Sequence, residues 1–185
     1  MINDIITDAK SRFQKAIEAT RHEFASLRTG RASPALLEQI RVDYYGASTP
    51  INQLATVTVP EPRLLVITPW DKKFVKEVER AILKSELGLV PSSDGTHVRV
   101  PIPPLTEERR KELVKVAHRH AEEGRVAVRN IRREAKEMIE ELEESGDVSE
   151  DDSKRGLEEL QKLTDKAIAD IDALLAAKDK EIMEV

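Results

Sequence analysis

The most regular feature of the chain is the spacing of apolar residues near its N-terminus. Between Ile2 and Leu27, the residues Ile6, Ala9, Phe13, Ala16, Ile17, Thr20, Phe24 and Leu27 recur at three- and four-residue steps, which puts them on one face of a helix. Gly30 suits a C-terminal cap, and Pro34 blocks continuation. A second helical pattern begins near Thr106, an N-cap candidate followed by Glu107 and Glu108, whose charge favours the first turn. Its stripe runs Leu113, Ala117, His120, Gly124, Ala127, Ile131, Ala135, Met138 and Leu142, and Gly146 marks its end. Ser149 and Asp152 have capping-box spacing and open a third helix, with Leu157, Leu160, Leu163, Ala167, Ile168, Ile171, Leu174, Leu175 and Ile182 on its apolar face. None of these stripes can be hidden alone. The pattern therefore predicts an elongated antiparallel three-helix bundle with a left-handed twist, the second helix being about 55 Å long at ~1.5 Å per residue.

Between the first and second helices the pattern changes. All nine prolines fall between Pro34 and Pro104, and the periodicity shifts towards strands at IRVDYY from Ile40, TVTV from Thr56, RLLVIT from Arg63 and HVRV from His97. Asp71 is placed to cap a short helix with Phe74, Val75, Val78, Ala81 and Ile82 facing inward and Gly88 beyond its end, and Asp94–Gly95 reads as a turn. The fold class is α+β, with a β/α/β domain over 31–104 inserted into a discontinuous bundle of 1–29 plus 106–185. At roughly 70 residues, the insert has the smaller core and the lower expected stability. Two crossings join the domains: Thr29, Gly30 and Arg31 on one side, and Pro101, Ile102, Pro103, Pro104 and Leu105 on the other. Glycine opposite stiff prolines predicts a hinge of limited freedom.

Composition narrows the chemistry. The 185 residues include 35% charged and only 3% aromatic positions, with a formal charge of −5 and no cysteine, so disulfides, thiolate metal sites and thiol catalysis are excluded. The N-terminus lacks the apolar run of a signal peptide, and no segment approaches membrane-spanning length, so the expectation is a soluble intracellular protein. Against this acidic background, Arg125, Arg129, Arg132 and Lys136 share one face of the second helix, with Arg133 beside them. The simplest use of a charged face is solvation. On the third helix, Lys154/Glu158, Arg155/Glu159 and Glu158/Lys162 alternate in sign as solvation would have it, whereas Arg125/Arg129, Arg129/Arg133 and Arg132/Lys136 are like-charged and together cost about 1 kcal/mol. An external anion would offset that cost, and arginine favours bidentate phosphate contact and base stacking. If ~4 phosphates are engaged, a fourfold rise in salt weakens binding on the order of a hundredfold.

Enzyme readings find little support. His118 and His120 are two apart on a helix and point different ways, and His22 and His97 have no evident acid or nucleophile partner. Glu122–Glu123 and Asp151–Asp152 are ordinary helix-surface pairs, and no phosphate-binding glycine loop is present. Tyr44 and Tyr45 suit a sheet residue and a turn-flanking residue. On the residues alone, a helical adaptor that docks an acidic protein remains an alternative to a nucleic-acid binder.

Four long stretches in order across the chain, LRTGRASPALL from Leu27, DYYGASTPINQLA from Asp43, PPLTEERRKELVK from Pro103 and RVAVRNIRREA from Arg125, resemble the bacterial ribosome recycling factor family. The resemblance implies an L-shaped molecule in which a three-helix bundle and a smaller β/α/β domain are joined by a flexible hinge. It implies a non-enzymatic factor that, with elongation factor G, splits the post-termination ribosome into subunits. The partner hydrolyses the GTP, and no cofactor of the chain's own is expected. Arg132 and Arg129 match family positions that contact large-subunit rRNA, and Arg28 and Arg110 match further basic positions of that surface. Gly30, Arg31 and Pro101–Leu105 match the hinge. The expected partners are the ribosome and elongation factor G, with no membrane, and the expected state is a cytoplasmic monomer.

Overall fold

The computed structural model describes residues 1–184. In chain order the elements are α1 (Ile2–Ser26), β1 (Arg41–Tyr44), β2 (Ala47–Pro50), β3 (Ala55–Glu61), β4 (Leu64–Pro69), α2 (Val75–Lys84), β5 (Ser92–Ser93), β6 (Val98–Pro101), α3 (Glu107–Glu144) and α4 (Glu150–Glu184). Short 3-10 turns occupy Pro34–Leu37, Ile51–Gln53 and Lys72–Phe74. The chain packs as two units, one of Met1–Arg28 with Glu107–Glu184 and one of Thr29–Thr106.

In the first unit α1, α3 and α4 each pack against the other two. Their buried positions repeat every eleven residues: Ile6 with Ile17, Ala9 with Thr20 and Phe13 with Phe24 on α1; Leu113, Gly124 and Ala135 on α3; Ser153, Thr164 and Leu175 on α4. Such a repeat advances about 3.67 residues per turn, slightly more than the helix itself, and drives a weak right-handed drift. By itself such a period favours a straighter seam than the left-handed twist expected from the stripes. The same phase explains why Met138 is 50% exposed while Ile139 is fully buried. A step of four from Ala135 stays on the seam, whereas a step of three leaves it.

Small residues let the helices approach. Gly124 faces Thr20 of α1 and Ile171 of α4, and Gly156 lies beneath Ile2, whose Cγ2 is 2.7 Å from where a β-carbon would sit. The buried hydroxyls of Thr20 and Thr164 donate to the carbonyls of Ala16 at 3.0 Å and Leu160 at 2.8 Å, so neither is an unsatisfied polar group. At the α3–α4 corner Gly146 takes a φ of +80°, open to glycine at little cost. Ser149 Oγ then accepts from the Asp152 amide at 3.1 Å and donates to its carboxylate at 2.8 Å, starting α4.

The second unit holds a β1–β2 hairpin and a four-stranded antiparallel sheet of order β3-β4-β6-β5. Every second residue of β4 is buried, and Ile67 and Leu65 pair with Val98 and Val100 of β6. Helix α2 lies against β1, β4, β5 and β6 and contributes Val78 and Ile82 to their core. The Asp71 carboxylate accepts from the Lys73 amide at 3.0 Å and caps the 3-10 turn that leads into α2. Two strands, β2 and β5, lie outside the sequence expectation, because Ala47–Pro50 and Ser92–Ser93 lack an apolar alternation.

The chain entering and leaving this unit is tied to one turn. Ala32 N–H donates to Pro62 O at 2.7 Å and Ile102 N–H donates to Arg63 O at 2.8 Å. Gly30 has a φ of +78°, and a β-carbon there would come within 2.9 Å of Leu105 Cγ. The two segments expected to form the hinge thus touch each other.

Candidate nucleic-acid interface

The basic flank of α3 contains cations in three different situations. Arg125 is only 20% exposed, and its Nε and Nη2 reach Asp172 Oδ1 of α4 at 2.8 and 2.6 Å, while its Nη1 meets Glu122 Oε2 at 3.1 Å. These contacts, the Asp172 hydrogen bond foremost, raise its pKa further above the usual arginine range. Arg129 Nη1 donates to the other oxygen of Glu122 at 2.9 Å. One carboxylate therefore bridges two arginines, and their hydrogen bonds, that of Arg129 foremost, hold Glu122 below the ordinary carboxylate range. Lys136 pairs with Glu140 at 3.4 Å.

Arg132 and Arg133 are different. Both are exposed, and among the described residues neither has a hydrogen bond or ion pair. Arg28, past the C-terminal end of α1, is exposed and unpaired in the same way. Arg110 is half-buried, and its Nη1 donates to Met183 O at 3.0 Å, so it serves the carbonyl end of α4. The cost assigned to the like-charged row is thereby revised. Glu122 and Asp172 neutralise Arg125 and Arg129 from within the chain, leaving Arg132 and Arg133 as the charges that lack an internal counterion.

A register across α3 and α4 makes the openness of Arg132 specific. His118 Nε2 lies 2.9 Å from Asp179 Oδ2, and seven residues further along α3 Arg125 meets Asp172, seven residues back on α4. Continued by one more step of seven, this antiparallel register brings Arg132 level with Asp165. That rung is not closed: Asp165 Oδ1 accepts from Gln161 Nε2 at 2.8 Å instead.

Several other candidates have partners within the chain. His118 points to α4, whereas His120, 14% exposed, lies between Glu23 of α1 and Glu123, so the two imidazoles diverge. His97 Nδ1 is 2.8 Å from Thr68 Oγ1. Glu122 faces its two arginines, and Asp152 takes Ser149 and Arg155. Tyr44, Tyr45 and Phe74 form a ring cluster with centroids 4.8 to 5.5 Å apart, and Tyr45 turns the β1–β2 hairpin at a φ of +50°. Among the described residues, no helix is long and apolar enough to cross a membrane. Sequence reasoning missed the Glu122 fork and the Gln161–Asp165 bond, although Glu122/Arg125/Arg129 and Gln161/Asp165 stand at helical spacings that permit both.

The model of the family described as "Ribosome recycling factor" matches residues 20–183. A ribosome-recycling factor of Carboxydothermus hydrogenoformans is 57% identical over 185 residues, covering all of both chains. A solution structure of the ribosome recycling factor is 54% identical, covers 100% of this chain and 98% of its own, and superposes with a TM-score of 0.74. A further match, at 49% identity, 98% coverage of both chains and a TM-score of 0.64, comes from models for the T. thermophilus ribosome recycling factor and the E. coli elongation factor G bound to the E. coli post-termination complex.

Proposed function

The chain belongs to the ribosome recycling factor family, and from that premise we propose that it binds the post-termination ribosome through large-subunit rRNA and, with elongation factor G and GTP, drives separation of the subunits. The three-helix unit is the anchor. Arg132 and Arg133 grip phosphates first, because neither must abandon an internal partner. Arg129 joins them by exchanging the Glu122 carboxylate for phosphate, and Arg28 extends the contact. Arg125 and Arg110 hold the helices on which the others stand. The observation that carries this reading is Arg132, an exposed guanidinium without a counterion beside paired neighbours.

The Thr29–Thr106 unit receives the push of elongation factor G, which hydrolyses the GTP, and the chain itself makes and breaks no covalent bond. The clasp of Gly30 against Leu105 and the paired tethers to Pro62 and Arg63 favour a pivot with restricted freedom at 29–31 and 101–105, since a freely jointed unit would dissipate the force. The factor works as a cytoplasmic monomer without a cofactor of its own. The test mixes it with post-termination ribosomes, elongation factor G and GTP, and follows subunit separation by light scattering. Arg132→Ala slows separation and weakens binding to large subunits; unchanged rate and affinity at matched salt would refute the anchor.

A further inference from the structure

We propose that Gln161 is a positioning residue for ribosome binding: by engaging Asp165 it keeps that carboxylate away from Arg132 and leaves the guanidinium free for phosphate. The inference rests on the reading of Arg132 as the anchor. It starts from the antiparallel ladder, in which His118–Asp179 and Arg125–Asp172 are closed rungs and Arg132–Asp165 is the open one.

Two causes act on that rung. The seam repeats in elevens whereas the ladder steps by seven, so each rung rotates by about 20° relative to the last. The third carboxylate is thus turned part of the way out. Gln161 supplies the rest. It is half-buried, one helical turn before Asp165, and its Nε2 donates to Oδ1 at 2.8 Å, a bond that holds the Asp165 side chain along α4. The two competing interactions are of similar size, an i,i+4 amide–carboxylate bond on a helix and an exposed inter-helix ion pair. Removing the amide therefore changes which of them forms. The carboxylate that is then released neutralises Arg132, one of the two cations that meet phosphate without giving up an internal partner.

The experiment compares the full-length protein with Gln161→Ala, Asp165→Asn, the double variant and Arg132→Ala, measuring the affinity of each for purified large ribosomal subunits at low salt. Gln161→Ala is expected to weaken binding about twofold, Asp165→Asn to bind at least as well as the parent, and the double variant to match Asp165→Asn. A second readout needs no ribosome. The Nε–H proton of Arg132, followed by NMR in the free protein, should exchange with solvent more slowly in Gln161→Ala and return to the parent rate in the double variant. If Arg132→Ala binds like the parent, the anchor reading itself fails. If Arg132→Ala weakens binding while Gln161→Ala leaves both affinity and exchange unchanged, or the double variant stays as weak as Gln161→Ala, helical drift alone opens the rung and the role of Gln161 is overturned.

Discussion

Gly124→Ala should destabilise the bundle even though alanine is the better helix former. An added β-carbon would lie 2.3 Å from Thr20 Oγ1 and 3.2 Å from Ile171 Cδ1, about 1 Å inside ordinary carbon–oxygen contact in the first case. Thr20 is 4% exposed and its hydroxyl is already held by the Ala16 carbonyl, so it cannot swing away without losing that bond and disturbing the seam. Overpacking of this kind costs about 1–3 kcal/mol, against which alanine's helix propensity returns about 1 kcal/mol. The expected net loss is about 1 kcal/mol. Adding Thr20→Ala removes the oxygen and leaves the threonine β-carbon at 3.5 Å, an ordinary contact, so the double variant should recover the loss and keep the propensity gain. Urea unfolding followed by far-ultraviolet circular dichroism, applied to the parent, both single variants and the pair, gives the coupling, which should be at least about 1 kcal/mol. A Gly124→Ala protein as stable as the parent, or effects of the two changes that simply add, would refute the close approach of α1 and α3 at this level.

Other substitutions separate anchoring from support. Arg125→Ala should cost about 1 kcal/mol of stability through loss of its bonds to Asp172 and Glu122 and leave the salt dependence of ribosome binding unchanged. Arg132→Ala should change stability by less than about 0.5 kcal/mol and reduce the slope of log affinity against log salt by about 0.7 to 0.9; the opposite assignment of effects would exchange their roles. Gly30→Ala places a side chain at a φ of +78° and against Leu105, so thermal unfolding should reveal a loss of about 1–3 kcal/mol that Leu105→Ala relieves only in its steric part. The Asp94 carboxyl is lowered from 3.8 to about 2, chiefly by the His97 amide and then by the Thr96 amide and hydroxyl. Because its folded value is the depressed one, its contribution is fully present above pH 3.8 and fades as pH falls through about 2; Asp94→Asn should flatten the acid limb of a stability–pH profile in that window.

The parts of the fold most legible in the sequence are those written in large apolar side chains. Phe13, Ile17 and Phe24, or Leu160 and Ile171, announce their faces because few polar residues interrupt the spacing. The prolines confined to 34–104 bracket the insert for a simple reason, since they cannot sit in a helix interior. The true phase of the seam was harder to read because Ser153, Gly156, Thr164 and Ala121 form much of it, and small or hydroxylated residues carry almost no periodic signal. A three-residue step and a four-residue step from Ala135 look equally helical, so spacing does not separate Met138 from Ile139. At the site, the spacing placed the arginines on one flank, but their fates depend on Asp172 and Asp165, which stand roughly forty residues away along the chain. Spacing within one helix says nothing about the register of another.

The eleven-residue period also sets a unit of length. Inserting or removing eleven residues at matching levels of α1, α3 and α4 would change the shaft by about 16 Å while returning each buried position to its original azimuth. Shorter changes would rotate everything beyond them, carrying Arg132 and Arg133 to a new side of the molecule. Distance along this protein and direction around it are therefore geared together, so that relatives of different reach should differ by whole elevens and keep their grip pointing the same way.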